Sequence, residues 1–244
     1  MKLQGKTILL TGAAGGVGRA TAMLLAGKGA NLVLADIRSE PLREMAAQIG
    51  DRALPIAADV SCAQDVRNMV DAAMAQFGRV DVLVNNAGGS ANLLGKISTF
   101  LDSEESTWDF VFALNLKGTF LCTHAVLEQM VRRRAGKIIN IASIAGVCGL
   151  EERVDYSAAK AGVIGMTRAL AMEVGEYNIQ VNCISPGLIL HSGICKTEGT
   201  YLRRSGDAAE VASLIAFLAS EEADYITGQN YVIDGGRCLG PKQK

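Results

Sequence analysis

Lys6-Thr-Ile-Leu-Leu-Thr-Gly-Ala-Ala-Gly-Gly-Val-Gly18, running on into Arg19-Ala-Thr-Ala-Met-Leu-Leu-Ala26, is the stretch that decides the fold. An apolar run bounded by turn formers predicts a buried strand, and the apolar spacing after Gly18 predicts a helix. Between them, glycines bring backbone N–H groups to a helix N-terminus, where they can cradle a pyrophosphate. A side chain there would block the approach. The spacing Gly12-x-x-x-Gly16-Val17-Gly18, with Gly15 in addition, departs from the general G-x-G-x-x-G fingerprint, so the glycines alone also fit an ordinary turn.

The next apolar run, Ala30–Ala35, ends at Asp36, eighteen residues beyond Gly18, and Ile37 and Arg38 follow. A carboxylate at the tip of a second strand accepts hydrogen bonds from an adenosine ribose and repels a 2′-phosphate, which predicts NAD as cofactor. Arg38 pulls the other way, because a guanidinium there can reach a 2′-phosphate by swinging past Asp36.

Further apolar runs at 53–57, 80–84, 137–141 and 179–184 alternate with segments of helical period, and 230–234 supplies a seventh. This order predicts the α/β class: a doubly wound Rossmann-type domain with about seven parallel strands flanked by helices on both faces. No linker or repeat interrupts residues 1–244, so one catalytic domain is expected, with a short substrate-covering segment at about 188–206. The net charge of −1 is spread along the chain and implies no field for nucleic acid or an anionic membrane. The one basic cluster, Arg132–Arg134, reads as solvated cations closing a helix over 119–131. The six cysteines contain no Cys-x-x-Cys pair and there are two histidines, so no metal and free thiols are expected. No stretch comes near the apolar length of a membrane span, and a cytoplasmic address is the simplest expectation.

Chemistry is carried by Tyr156 and Lys160. Four residues apart on a helix, the phenol and the ammonium share a face. The positive charge would favour the phenolate, lowering the ordinary tyrosine value of about 10 toward neutrality. Ser143, thirteen residues upstream, can hold a substrate oxygen against that phenol.

Thr11-Gly-x-x-x-Gly-x-Gly18, Asn85-Asn-Ala-Gly88, Asn115, Ser143, Tyr156-x-x-x-Lys160 and Pro186-Gly187 occur in this order in the short-chain dehydrogenases/reductases, which the chain resembles from Lys6 to Gly236. The resemblance implies a hydride transfer between NAD(H) and a secondary alcohol or ketone, with Tyr156 as general acid or base. Lys160 would assist Tyr156 and bind the nicotinamide ribose, Ser143 would hold the substrate oxygen, and Asn115 would complete a tetrad through a water reaching Lys160. Gly12, Gly16, Val17, Gly18, Asp36, Ile37, Asp59 and Val60 would line the adenosine and pyrophosphate. Asn86, Ala87 and Gly88 would lie along the riboses, and Pro186, Gly187 and Ile189 beside the nicotinamide. The resemblance also implies a homotetramer built on helices near 108–131 and 156–174. A 3-oxoacyl-thioester reductase fits the same pattern, although such enzymes usually prefer NADPH and carry a basic residue in the glycine turn, where this chain has Ala13-Ala14. Intact tetrad members speak against a non-catalytic NAD-binding regulator, and the short carboxy-terminal part speaks against an epimerase or dehydratase.

Three segments depart from the family. Residues 89–102 are longer than usual, and the loop before Tyr156 carries Glu151, Glu152, Arg153 and Asp155. Arg153 can grip a substrate anion or pair with a neighbouring carboxylate. The cover after Gly187 is short, which predicts an open pocket for a bulky or carrier-tethered substrate, with Lys196, Arg203 and Arg204 at its rim. It places His191, a pocket-lining residue or a second base, where relatives carry a threonine.

Overall fold

The structure is a computed structural model that describes residues 3–190 and 199–240. His191, Gly193, Cys195 and Lys196 lie outside them. The strands are β1 (Thr7–Thr11), β2 (Asn31–Asp36), β3 (Ala53–Ala57), β4 (Val82–Asn85), β5 (Gly136–Ile141), β6 (Ile179–Pro186), β7 (Ile189–Leu190), β8 (Gly206–Asp207) and β9 (Asn230–Ile233). The helices are α1 (Gly16–Gly27), α2 (Ser39–Ile49), α3 (Ala63–Phe77), α4 (Glu105–Phe112), α5 (Gly118–Arg133), α6 (Ala145–Cys148), α7 (Val154–Val174) and α8 (Ala208–Ala219).

Seven strands form one parallel sheet in the order β3-β2-β1-β4-β5-β6-β9, as the alternation of apolar runs predicts. Pairing in β4 starts at Val82, two residues later than its apolar run. Pro55 sits in β3, an edge strand, where its missing N–H leaves an interior ladder intact. Because both faces are covered, the inner strands read as continuous apolar runs, and alternate residues divide between two cores. Ile8, Leu10, Leu32, Leu34, Val82 and Val84 pack with α1, α2 and α8. Leu9, Val33, Leu83, Ile138 and Val181 pack with α3, α5 and α7. Leu9 and Leu10 are both fully buried, and each such side chain contributes roughly 1.5–3 kcal/mol by leaving water.

The strand order reverses between β1 and β4, which opens a crevice beyond their carboxyl ends. Thr11 and Asn86 fasten its floor. The Thr11 hydroxyl accepts from the N–H groups of Asn86 and Ala87 at 3.0 Å each, and the Asn86 side-chain amide donates to the carbonyls of Thr11 and Gly12, also at 3.0 Å.

The helical run Glu105–Arg133, in which a π turn over Ala113–Lys117 joins α4 to α5, reaches a mean hydropathy of 1.4 over its most apolar stretch. By length and composition it could cross a membrane, which corrects the expectation that no stretch comes near. Its Val111, Cys122, Val126 and Met130 are buried within the fold, the usual cause of high hydropathy in a core helix. At the C-terminal end of α5, Arg132 and Arg134 are exposed as expected, and Arg133 is partly buried. Arg132 pairs with Glu128, Arg133 reaches Asp81 at 3.2 Å and the Val80 carbonyl at 3.0 Å, and Arg134 stands over the Tyr177 ring.

Candidate active site

Two glycines show why the turn after β1 must be bare. Gly12 has φ +63°, and a Cβ on it would lie 2.7 Å from the Ala87 backbone. One on Gly18 would lie 2.2 Å from the Gly12 carbonyl, so α1 could not come so close to β1. The turn opens into a cleft of about 810 Å³ lined by Gly12, Gly16, Val17, Gly18, Asp36, Ile37, Asp59, Val60, Asn86, Ala87, Gly88 and Tyr156. Twelve of the residues expected to hold a dinucleotide are thus gathered in one crevice, and the size, bare backbone and helix N-terminus suit such a ligand.

Asp36 ends β2 with its side chain almost wholly buried. Its Oδ2 accepts from the Ala14 N–H at 3.0 Å, and its Oδ1 accepts from the N–H and Nε of Arg38 at 3.0 and 3.1 Å. Arg38 is therefore paired with the carboxylate it might have swung past. Asp59 accepts from the Ser61 N–H and hydroxyl at 2.8 and 2.7 Å, which turns the chain after β3 along the cleft.

At the other end, β5 runs out through Ala142 to Ser143, and α7 brings Tyr156 and Lys160 onto one face. Ile144 N–H donates to the Pro186 carbonyl at 3.0 Å, fixing the Ser143 turn to the end of β6. The Ser143 oxygen accepts from Ala145 N–H at 3.1 Å, which leaves its proton free to donate. Lys160 is buried, with Nζ donating to the Ile141 carbonyl at 2.8 Å and lying 5.7 Å from the centre of the Tyr156 ring. Burial pulls its ammonium down to about 8, and the charge of nearby Cys183 acts against that. The Tyr156 phenol is pushed up from its ordinary value by burial, and the facing Ser143 hydroxyl lowers it only in part. Burial therefore dominates this phenol, and the group that opposes it is Ser143 rather than Lys160.

Asn115, in the π turn, is fully buried. Its Nδ2 donates to the carbonyls of Gly89 and Val111 at 2.8 Å each, and its Oδ1 accepts from the Gly89 N–H at 3.1 Å. A Cβ on Gly88 would lie 2.7 Å from that Oδ1 and 3.0 Å from Lys160 Nζ, so Asn115 and Lys160 face the same small space. Pro186, Gly187 and Ile189 lie off this cleft: Gly187 packs on Asp234 and Ile189 on the core under α1 and α8.

Sequence reasoning missed the buried polar chain beneath the site. Asn85 Nδ2 donates to Thr123 Oγ1 at 3.0 Å and to Asn140 Oδ1 at 2.8 Å, and Asn140 Nδ2 donates to Thr167 Oγ1 at 2.9 Å. The signal was a polar residue at a core position in each of β4 and β5. At the rim, Arg204 is committed to Glu210 at 2.6 and 2.8 Å, which holds that carboxyl down at about 2 and removes Arg204 from the expected anion-binding set. Arg153 donates to the Glu152 carbonyl at 3.0 Å rather than to a carboxylate.

A family profile described as enoyl-(acyl carrier protein) reductase matches residues 12–237. The chain is 42% identical to the hydroxy(phenyl)methylsuccinyl-CoA dehydrogenase subunit BbsD of Thauera aromatica, over 98% of this chain and 99% of that protein. It is 38% identical to the 3-oxoacyl-(acyl-carrier-protein) reductase FabG of Thermotoga maritima, over 98% and 100%. It is 39% identical to nodulation protein G of Rhizobium sp. strain N33, over 98% and 99%.

Proposed function

The chain belongs to the short-chain dehydrogenase/reductase family, as an oxidoreductase of CH–OH and keto groups, and from that premise we propose that it acts with NAD(H) on a hydroxyacyl or oxoacyl thioester. The observation that carries the cofactor choice is Asp36, whose carboxylate closes the adenosine end of the cleft while Arg38 is held against it. The thioester is supported by two relatives named for CoA-linked and carrier-protein-linked substrates, and by exposed apolar side chains in the long segment 89–102, where Leu93 is 64% and Phe100 65% exposed.

When bound, the dinucleotide supplies or accepts the hydride. The glycine turn and the N-terminus of α1 would hold its pyrophosphate, and Lys160 would bind its nicotinamide ribose. Ser143 donates a hydrogen bond to the substrate oxygen, fixing it beside the phenol and stabilising charge as it develops. Tyr156 gives its proton to that oxygen in ketone reduction and takes one from it in alcohol oxidation. A phenol pushed upward by burial is protonated at neutral pH and so is ready for reduction. Asn115 positions Gly88 and Gly89 beside Lys160. Expected partners are the tethered substrate and further copies of the chain, as a homotetramer.

The test is kcat/KM for acetoacetyl-CoA and 3-hydroxybutyryl-CoA with NAD(H) and NADP(H), beside simple secondary alcohols. NAD(H) with the thioesters should be preferred by at least about tenfold, and Asp36→Ala should narrow or reverse the cofactor ratio. Better kcat/KM of the unaltered chain with NADP(H) refutes the role given to Asp36.

A further inference from the structure

Two thiols far apart in sequence meet between α6 and the turn after β9. Cys148 Sγ lies 3.3 Å from Cys238 Sγ. Cys148 is the last residue of α6, five positions after Ser143, and is followed by Gly149 at φ +73°. Cys238 lies in the short turn Arg237–Leu239, held from below by Asp234, whose carboxylate accepts the N–H groups of Gly236 and Cys238 at 2.7 Å each. Cys148 is exposed and Cys238 partly so, whereas Cys122 and Cys183 are buried.

We propose that Cys148 and Cys238 are an oxidation site, forming a reversible disulfide under peroxide that fastens the end of α6, just beyond Ser143, to the Arg237–Leu239 turn. A disulfide needs about 2.0 Å between sulfurs, and a side-chain rotation in the stretch ending at Gly149 closes the difference. Exposed Cys148 meets the oxidant first: its sulfur takes one peroxide oxygen as the O–O bond breaks, giving a sulfenic acid and one water. Cys238, with its sulfur 3.3 Å away, then acts as the resolving sulfur: it attacks Cys148 Sγ, the S–O bond breaks, and the departing hydroxide leaves with the Cys238 proton as a second water. Two thiols thus give two electrons and two protons to one peroxide.

The crosslink reaches the site through contacts already present. Gly235, three residues before Cys238, accepts the N–H groups of Tyr201 and Leu202 at 2.9 and 3.1 Å, and Asp234 packs on Gly187. Joining Cys148 to this segment ties the loop that carries Ser143 to the Arg237–Leu239 turn and restricts its movement, which lowers turnover. The effect on turnover rests on the function proposed above; the crosslink itself does not.

The full chain is treated with equimolar hydrogen peroxide and analysed by intact mass and by non-reducing peptide mapping. Expected are a loss of about 2 Da, a linked peptide pair containing residues 148 and 238, a fall of at least about threefold in turnover, and recovery with dithiothreitol. Cys238→Ser should keep its turnover through the same treatment. A bond to Cys62 or Cys195, no mass loss, or equal inactivation of Cys238→Ser overturns the proposal. If neither redox form turns over any substrate, the functional reading fails while the mass result still decides the crosslink.

Discussion

Lys160 carries opposed demands at the scale of a single side chain. Its folded value of about 8 lies below the ordinary 10.5, so the unfolded chain holds that proton more firmly. The resulting cost to stability is fully present below pH 8 and fades as pH rises toward 10.5. Lys160→Met removes that cost and also the bond to Ile141, so at pH 7 it should stabilise the fold by about 1–2 kcal/mol in urea titrations while turnover collapses. Tyr156 makes the complementary prediction. With its phenol raised, alcohol oxidation should climb with pH through the alkaline range while ketone reduction stays flat at neutral pH, and Tyr156→Phe should cut both by at least about a thousandfold without loss of NADH binding by fluorescence. These two residues were legible because four-residue spacing on a helix fixes a shared face whatever the tertiary context. The direction of the phenol's shift was not legible, because it depends on burial that no spacing encodes.

Among the elements, the π turn in the long helix shapes the site most. Its Asn115 amide donates back to the Val111 carbonyl, where a widened turn leaves carbonyls short of donors, and grips Gly89 from both sides. Asn115→Ala would strand the buried Val111 carbonyl and release the partly exposed Gly89 N–H and carbonyl, and should cost about 1–3 kcal/mol by chemical denaturation together with most of the turnover. A periodic apolar pattern predicts a helix here but not the extra residue within its turn. The strands were easier to read: β1, β2 and β4 are buried on both faces and so carry apolar runs with polar residues at their ends, whereas the Asp81–Arg133 contact joins positions whose neighbours in sequence say nothing of it.

For the whole molecule, the prediction is assembly. Phe112 stacks on Trp108, Leu116 packs against Gly162 and Leu127 joins the core, so most of the apolar face anticipated for a subunit contact is consumed within the chain. Phe120 at 51% and Met172 at 80% exposure remain on α5 and α7, and Tyr225 and Leu239 stand out elsewhere. Light scattering at micromolar concentration should give a mass near four chains of 25.7 kDa; a mass of one chain would leave these side chains unexplained. The sheet was readable end to end because it is built from local runs, while the surfaces between copies obey no local period.

The segment between β7 and β8 also has a thermodynamic consequence. It is bounded by β7 and β8, which form a separate two-stranded parallel ladder, Ile189 with Gly206 and Leu190 with Asp207. A loop whose two ends are already joined is inexpensive to lengthen, since doubling it adds only about 0.6 kcal/mol of closure entropy. Asp207 and Glu210 cap α8, Glu210 is further held by Arg204, and an insertion well before Arg204 leaves all three in place. A glycine-serine insertion between residues 198 and 199 that doubles the loop should therefore lower unfolding free energy by less than about 1 kcal/mol. The segment between β7 and β8 is thus a part of this chain that can be exchanged, in evolution or by grafting, without re-earning the fold beneath it.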